Sequence, residues 1–504
     1  MNGGSQQRRR TARVPTGIAG LDQILHGGLL RGGIYIVSGQ PGAGKTILAN
    51  QVCFNHVAAG GRALFVTLLA ETHERMLEHL AGLEFFDPEP IGDRLYYISG
   101  FETMEQQGLA GLINLLRREI QVHRATLLVI DGMATVWSVA DSDVTFRRFI
   151  HDVQVFLTAS GCTALFLTQR DDQHFRAEHT MVDGLIELLD VHADVRAMRE
   201  LEITKFRGSA FLRGRHFFEI TNAGIVVYPR TEALLADTQP SAQAPRRRLP
   251  FNIGGLDDML QGGLLSTSVS VLLGVPGSGK TLLSLHFLAA GAQAGEVGLY
   301  FGFYETPARV IEKADQVGLR FSEHVARGLL HLAWHPPLEQ PLDQLAASLL
   351  EAVARYRAQR VVIDGLNSLQ QGSIYPERLG RFLTAITNEL RARSVTTIFT
   401  VETPHLLGTP IEWPVRDITL IAENIIFLRY VEANAHLLRL LSILKVRDSD
   451  YDTTTRTFTI GSDGIRVGEP YNPLRLVASG STSQITSPGM LPLDRLPGAD
   501  ESQA

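Results

Sequence analysis

The chain repeats itself, and that repetition constrains its fold more than any other feature. PTGIAGLDQILHGGLLRGG at residues 15–33 returns as PFNIGGLDDMLQGGLLSTS at 250–268. GQPGAGKT at 39–46 returns as GVPGSGKT at 274–281, and LLVIDG at 127–132 as VVIDG at 361–365. The register between the copies holds to within two residues, so two copies of one domain-sized unit are expected.

The copies are read as residues 13–228 and 249–467. Residues 1–12 read as a disordered tail, 229–248 as a linker rich in Pro, Ala and Gln, and 468–504 as a flexible tail rich in Pro, Ser and Gly. The 504-residue length accommodates both copies, since a domain takes roughly 100–200 residues. Within the first copy, IYIVS (34–38), ALFVTLL (63–69), LYYIS (95–99), LLVID (127–131) and ALFLTQ (164–169) read as strands separated by helical patterns. Their continuous apolarity marks burial on both faces, hence a mostly parallel sheet covered by helices. LEITKF, HFFEI and GIVVY follow with short connections and predict an antiparallel extension. The fold class is α/β, present twice.

The spacing G-x-x-x-x-G-K-[ST] occurs in both copies, each time after an apolar strand and before an amphipathic helix. Gly39, Pro41, Gly42, Ala43 and Gly44 form the first loop, and Gly274, Pro276, Gly277, Ser278 and Gly279 the second. Glycines let successive backbone N–H groups converge on phosphate oxygens, and the helix N-terminus adds a favourable dipole. ATP is the expected ligand. Lys45 and Lys280 are placed to meet its β- and γ-phosphates, and Thr46 and Thr281 to ligate Mg²⁺. Asp131 and Asp364 end apolar strands, where a carboxylate can orient the Mg²⁺ shell, although an Asp in that position also serves as a turn residue. Glu71 in VTLLAETHER and Glu305 in FGFYETPAR follow their loop threonines by 25 and 24 residues. A carboxylate at a strand's carboxyl end can orient attacking water; Glu-Thr ahead of a helix is also favoured by the helix dipole alone.

The entry motif GLDxxLxGGL, the P-loop, the strand-end Glu, the IDG strand and the second complete copy resemble the KaiC family of RecA-like ATPases, over about residues 13–228 and 249–467. EITKFRG (202–208) and SILKVRD (442–448) look like that family's K-x-R strand. The resemblance implies that Lys205, Arg207, Lys445 and Arg447 reach the γ-phosphate of a neighbouring subunit; without it they read as solvated strand charges. It further implies a two-tier homohexamer, a regulatory protein partner, a slowly hydrolysing first copy and a second copy that phosphorylates its own chain. Two departures stand out. Clock members carry two adjacent glutamates where this chain has Ala70-Glu71 and Tyr304-Glu305, so only the second of each pair is matched. ITLIAENIIFLRYVE (418–432) looks like the acceptor segment with Thr419 and Leu420 at the phosphorylated pair, which leaves Thr419 as the one acceptor, or as a packed strand-type residue.

Composition narrows the alternatives. Net charge is −6 with a pI near 6.3, and the loops after Asp131 and Asp364 lack dense Lys/Arg with aromatics, which argues against a DNA recombinase or helicase. A nucleotide-stabilised scaffold without catalysis is the other reading, favoured by the missing first glutamates. No apolar run reaches the ~18 residues of a membrane span, and Cys53 and Cys162 show no metal-ligand spacing, so a cytoplasmic location is expected. Arg8–Arg10 and Arg246–Arg248 read as solvated basic triplets, and His174, His179 and His192 as exposed loop or helix residues.

Overall fold

The computed structural model describes residues 12–69, 73–170, 181–193, 195–239, 247–336, 340–403, 418–433 and 436–472. Glu71, Ala70, His174, His179, Arg8–Arg10 and Arg246 lie outside them.

Each copy opens on a two-strand antiparallel pair, β1 (Arg13–Val14) with β2 (Leu29–Leu30) in the first. Then come β3 (Ile34–Gly39), β4 (Ala63–Thr67), β5 (Leu95–Ser99), β6 (Leu127–Asp131), β7 (Thr163–Gln169), β8 (Gly184–Ala193), β9 (Arg196–Phe206), β10 (Arg215–Thr221) and β11 (Gly224–Tyr228). They form one nine-stranded sheet in the order β11-β10-β9-β8-β3-β7-β6-β4-β5. The second copy runs β12 (Arg248–Leu249), β13 (Leu264–Leu265), β14 (Val269–Gly274), β15 (Gly298–Gly302), β16 (Leu330–Trp334), β17 (Arg360–Asp364), β18 (Thr396–Glu402), β19 (Asn424–Ala433), β20 (His436–Val446), β21 (Arg456–Gly461) and β22 (Gly464–Pro470). Its sheet, β16-β15-β17-β18-β14-β19-β20-β21-β22, repeats the first strand for strand. In both, the strands from the outer edge through β8 or β19 are parallel and the last three antiparallel. Two RecA-like P-loop units in tandem result.

Strand periodicity explains why the central strands are apolar throughout. Along β3, Ile34 and Ile36 point into a core shared with Leu128, Ile130 and Phe166, while Tyr35 and Val37 point into the opposite core with Leu48, Phe65 and Val129. Helix Lys45–Ala58 covers the second face, and helices Phe101–His123 and Asp143–Ser160 cover the first. Only a sheet covered on both sides uses apolar residues at every position.

Three features depart from the sequence reading. The strand pattern missed β8, the parallel neighbour of β3 and antiparallel partner of β9. GLIELLDVHA spaces its leucines ambiguously, and its strand state comes from pairing on both sides; His192 therefore sits in a strand. At the carboxyl end, β22 continues to Pro470, and Tyr471 N–H donates to the Thr455 carbonyl at 2.8 Å, past residue 467. The segment expected as a linker carries helix Thr231–Leu234, held by the second copy. There, buried Asp343 accepts from the Thr231 N–H and hydroxyl, both at 2.9 Å, and from Arg378 at 2.9 Å. Arg378 also grips Glu232 with bonds of 2.8 and 2.9 Å. The segment's own composition gives no hint of this, because the partners lie more than a hundred residues away.

Two stability consequences follow. Arg378→Ala strands two mostly buried carboxylates, and breaking such a cluster costs about 3–5 kcal/mol; chemical denaturation should show a matching loss. His286 is buried and accepts from the Ile465 N–H at 3.1 Å, and burial pushes its pKa down from 6.5 to about 4. A depressed histidine contributes stability that is present above pH 6.5 and lost as pH falls toward 4. Melting temperature should drop across that window, with a shallower slope in His286→Gln.

Candidate functional site: two phosphate loops

In each copy the P-loop leaves the carboxyl end of the central strand, where ligands of parallel sheets collect. Gly42 and Gly44 adopt φ of 82° and 97°, and Gly277 and Gly279 adopt 75° and 104°. Left-handed turns of this kind let successive N–H groups converge on an anion, and a side chain would resist them. A Cβ on Gly274 would stand 2.3 Å from the Leu428 carbonyl, so the loop's first glycine is required by the neighbouring strand β19.

Thr46 and Thr281, in the first turn of the following helices, donate hydrogen bonds to the strand-end carboxylates: Thr46 Oγ1 to Asp131 at 3.0 Å, Thr281 Oγ1 to Asp364 at 3.0 and 3.2 Å. The two sequence-distant residues of each proposed metal pair are therefore brought together. A hydroxyl and a carboxylate are hard oxygen donors of the kind Mg²⁺ takes beside phosphate oxygens. Lys45 Nζ is held by the Gly39 and Gln40 carbonyls, each at 2.9 Å. Lys280 Nζ donates to the Val275 carbonyl at 2.9 Å and lies 3.6 Å from Glu402. Burial lowers the pKa of both lysines; Asp131 opposes the shift at Lys45, and Glu402 and Asp364 oppose it at Lys280.

The copies differ around the aspartate. Asp364 also accepts from Tyr300 OH at 2.6 Å and Thr400 Oγ1 at 2.5 Å, while Thr400 accepts from the Gly365 N–H at 2.8 Å. The equivalent strand positions in the first copy are Phe65 and Leu167, which carry no such donors. Tyr304, 57% exposed, lies against Gly365. Glu305 is not directed at the loop in isolation: Lys313, eight residues further along, holds it at 2.5 and 2.7 Å. Tyr300, Thr400 and Lys313 carry no sequence signal of a site role, whereas Glu402 ends β18 as the aspartates end β6 and β17, a signal that could have found it.

The K-x-R residues occupy the other end of each sheet. Lys205 pairs with Leu185 across β9 and β8, and Lys445 with Ile425 across β20 and β19. Those partners sit beside Ile36 and Val271, three residues before Gly39 and Gly274. At about 3.3 Å per residue and about 4.8 Å per strand, each lysine lies on the order of 10 Å below and 10 Å across from its own loop. Lys445 Nζ points further away still, donating to the carbonyls of Thr419 at 2.8 Å and Ala422 at 2.7 Å. The structure thus joins Lys445 to Thr419 and separates both from the P-loop of the same copy. Burial first, then Arg207 and Arg447 respectively, lowers the pKa of Lys205 and Lys445.

Removing the hydroxyl of Tyr300 frees one acceptor site on Asp364. Tyr300→Phe is expected to lower the Mg²⁺ concentration needed for half-maximal nucleotide binding at the second loop by roughly 2- to 10-fold, the equivalent of one net hydrogen bond; magnesium titration in a chain also carrying Lys45→Ala reads it.

Comparison with known proteins agrees with this arrangement. The family described as "ATPase: KaiC" matches residues 14–232 and 249–472. The circadian clock oscillator protein KaiC of Picosynechococcus sp. is 29% identical over 94% of this chain and 93% of its own length. That of Thermostichus vulcanus is 28% identical over 95% and 94%. The circadian clock oscillator protein KaiC 1 of Synechocystis sp. is 28% identical over 95% and 93%. Two matched units, each with a P-loop backed by a threonine–aspartate pair, make the chain a member of the KaiC family of ATPases.

Proposed function

We propose that this chain is an Mg-ATP hydrolase that assembles as a two-tier homohexameric ring in the cytoplasm and acts as a regulatory switch through a protein partner. The ATPase units are assigned to residues 13–228 and 249–467. The observation that carries the reading is the paired P-loop site, in which Thr46–Asp131 and Thr281–Asp364 stand ready beside glycine-lined loops.

In each site the backbone of the loop, Gly39 to Gly44 or Gly274 to Gly279, would take the phosphates, and Lys45 or Lys280 would exchange carbonyl partners for phosphate oxygens. Mg²⁺, held by Thr46 and Asp131 or Thr281 and Asp364, would neutralise charge building on the phosphate oxygens. Glu71 and Glu305 orient the attacking water. For Glu305 this requires letting go of Lys313, which fits slow turnover.

The placement of the K-x-R strands supports a ring. Lys205, Arg207, Lys445 and Arg447 stand too far from the loop of their own copy to touch its phosphates, so their role as catalytic cations calls for a neighbouring subunit. The same holds for Thr419, whose helix Ile418–Ile421 precedes β19 at the sheet's amino end. Autophosphorylation at Thr419 would pass between subunits.

A second reading, a nucleotide-bound scaffold with little hydrolysis, is favoured by the ion pairs that occupy Glu305 and Lys280.

Purified protein with Mg-ATP is expected to release phosphate slowly and to sediment as a hexamer, and Lys45→Ala with Lys280→Ala should abolish release; undiminished turnover in the double variant sinks the reading. Mass spectrometry after incubation with ATP should find phosphate on Thr419. A hexamer that binds ATP and releases no phosphate selects the scaffold.

A further inference from the structure

We propose that Glu402 is a nucleotide-specificity residue that makes the second loop discriminate against a triphosphate relative to a diphosphate, a discrimination the first loop lacks. The inference rests on the reading of both loops as nucleotide sites.

Glu402 closes β18 directly beside Gly274, the first residue of the second loop, in parallel register. Its backbone is fixed from both sides by Asn367, which accepts from the Glu402 N–H at 3.0 Å and donates to its carbonyl at 3.4 Å. That clamp comes from the helix after Asp364 and leaves the carboxylate aimed at the loop. Its partner is Lys280, whose side chain is 7% exposed while that of Glu402 is 49% exposed. A buried ammonium needs an anion, and Glu402 supplies one.

The loop lysine reaches both the β- and γ-phosphates of a triphosphate and only the β-phosphate of a diphosphate. The carboxylate therefore occupies the electrostatic role a γ-phosphate would take. A diphosphate can enter with the Lys280–Glu402 pair standing. A triphosphate has to break the pair and then lie beside a like charge. In the first copy the equivalent position, beside Gly39, is Gln169, which has the same length and no charge. Lys45 there is held by neutral carbonyls that a phosphate oxygen displaces without repulsion. One residue thus makes two nearly identical loops respond differently to the same pool of nucleotides. The second loop would favour the product of hydrolysis, and the first would follow ATP.

The test uses the full-length chain with Lys45→Ala, so that the second loop is the site being read. Calorimetric titrations compare Mg-ADP with the magnesium complex of the β,γ-imido analogue of ATP, with and without Glu402→Gln. The substitution should tighten the triphosphate analogue by roughly 5- to 30-fold and change ADP by less than about twofold, in line with removing one like charge from a half-buried site. The reverse change, Gln169→Glu with Lys280→Ala, should weaken the analogue at the first loop. Equal shifts for both nucleotides, no shift, or weaker binding of the analogue overturn the proposal. If Lys280→Ala removes binding while Glu402→Gln leaves the ratio of affinities unchanged, the nucleotide site stands and only this inference fails. Binding that survives loss of both lysines, or no binding to Lys45→Ala at all, overturns the site assignment and the inference together.

Discussion

Everything in each copy is referred to one strand. β3 and β14 stand at the centre of their sheets, each paired in parallel on both sides, with β7 and β8 in one case and β18 and β19 in the other. Their register fixes which residues stand at the carboxyl end, where Gly39 and Gly274 turn into the phosphate loops. It equally fixes which stand at the amino end, where Lys205 and Lys445 arrive on the returning antiparallel strands. A slip of one residue would reverse the faces of the strand and misplace both ends together. Because these strands are buried on both sides by apolar cores, such a slip is strongly opposed.

From that constraint the chemistry divides along the sheet. The carboxyl end gathers the N–H-lined loop, the lysine, the threonine and the aspartate of one site. The amino end gathers cations that have no phosphate of their own within reach. In the ring we propose, the amino-end cations of one subunit would complete the loop of the next. Lys445 donates to the carbonyls of Thr419 and Ala422 and so ties β20 to helix Ile418–Ile421 at the amino end of the second unit.

The two copies share this frame and differ in what surrounds the phosphate. The first presents Phe65, Leu167 and Gln169; the second presents Tyr300, Thr400 and Glu402 at the same strand positions. Three differences, on the two strands that flank β17 and β6, convert an apolar surround with one amide into a hydrogen-bonded carboxylate and an ion-paired lysine. The units also touch through charge: Asp343, Arg378 and Glu232 bind the segment between them, and Tyr375 donates to Glu200 on β9 at 3.3 Å. Tyr375 follows the helix that begins after Asp364, and Glu200 lies on the strand that carries Lys205, so that strand of one unit touches the segment downstream of Asp364 in the other.

The sequence by itself determined the duplication, the family, the α/β class, both phosphate loops and the aspartates that pair with them. These features are local: glycine spacing, strand apolarity and a strand-end acid are written in consecutive residues and need no partner to be recognised. The tertiary structure alone decided which polar residues matter around them. β8 is a strand because β3 and β9 pair with it, Tyr300 is a hydrogen-bond donor to Asp364 because β15 lies beside β17, and Glu402 meets Lys280 because β18 lies beside β14. Glu305 illustrates the same point from the other side. Its position at a strand end was legible, but its engagement with Lys313 depends on the turn of helix Pro307–Gln316 back toward the strand. Strand order in a sheet is settled by long-range pairing, so the neighbours that tune a site are fixed only when the chain has closed around it.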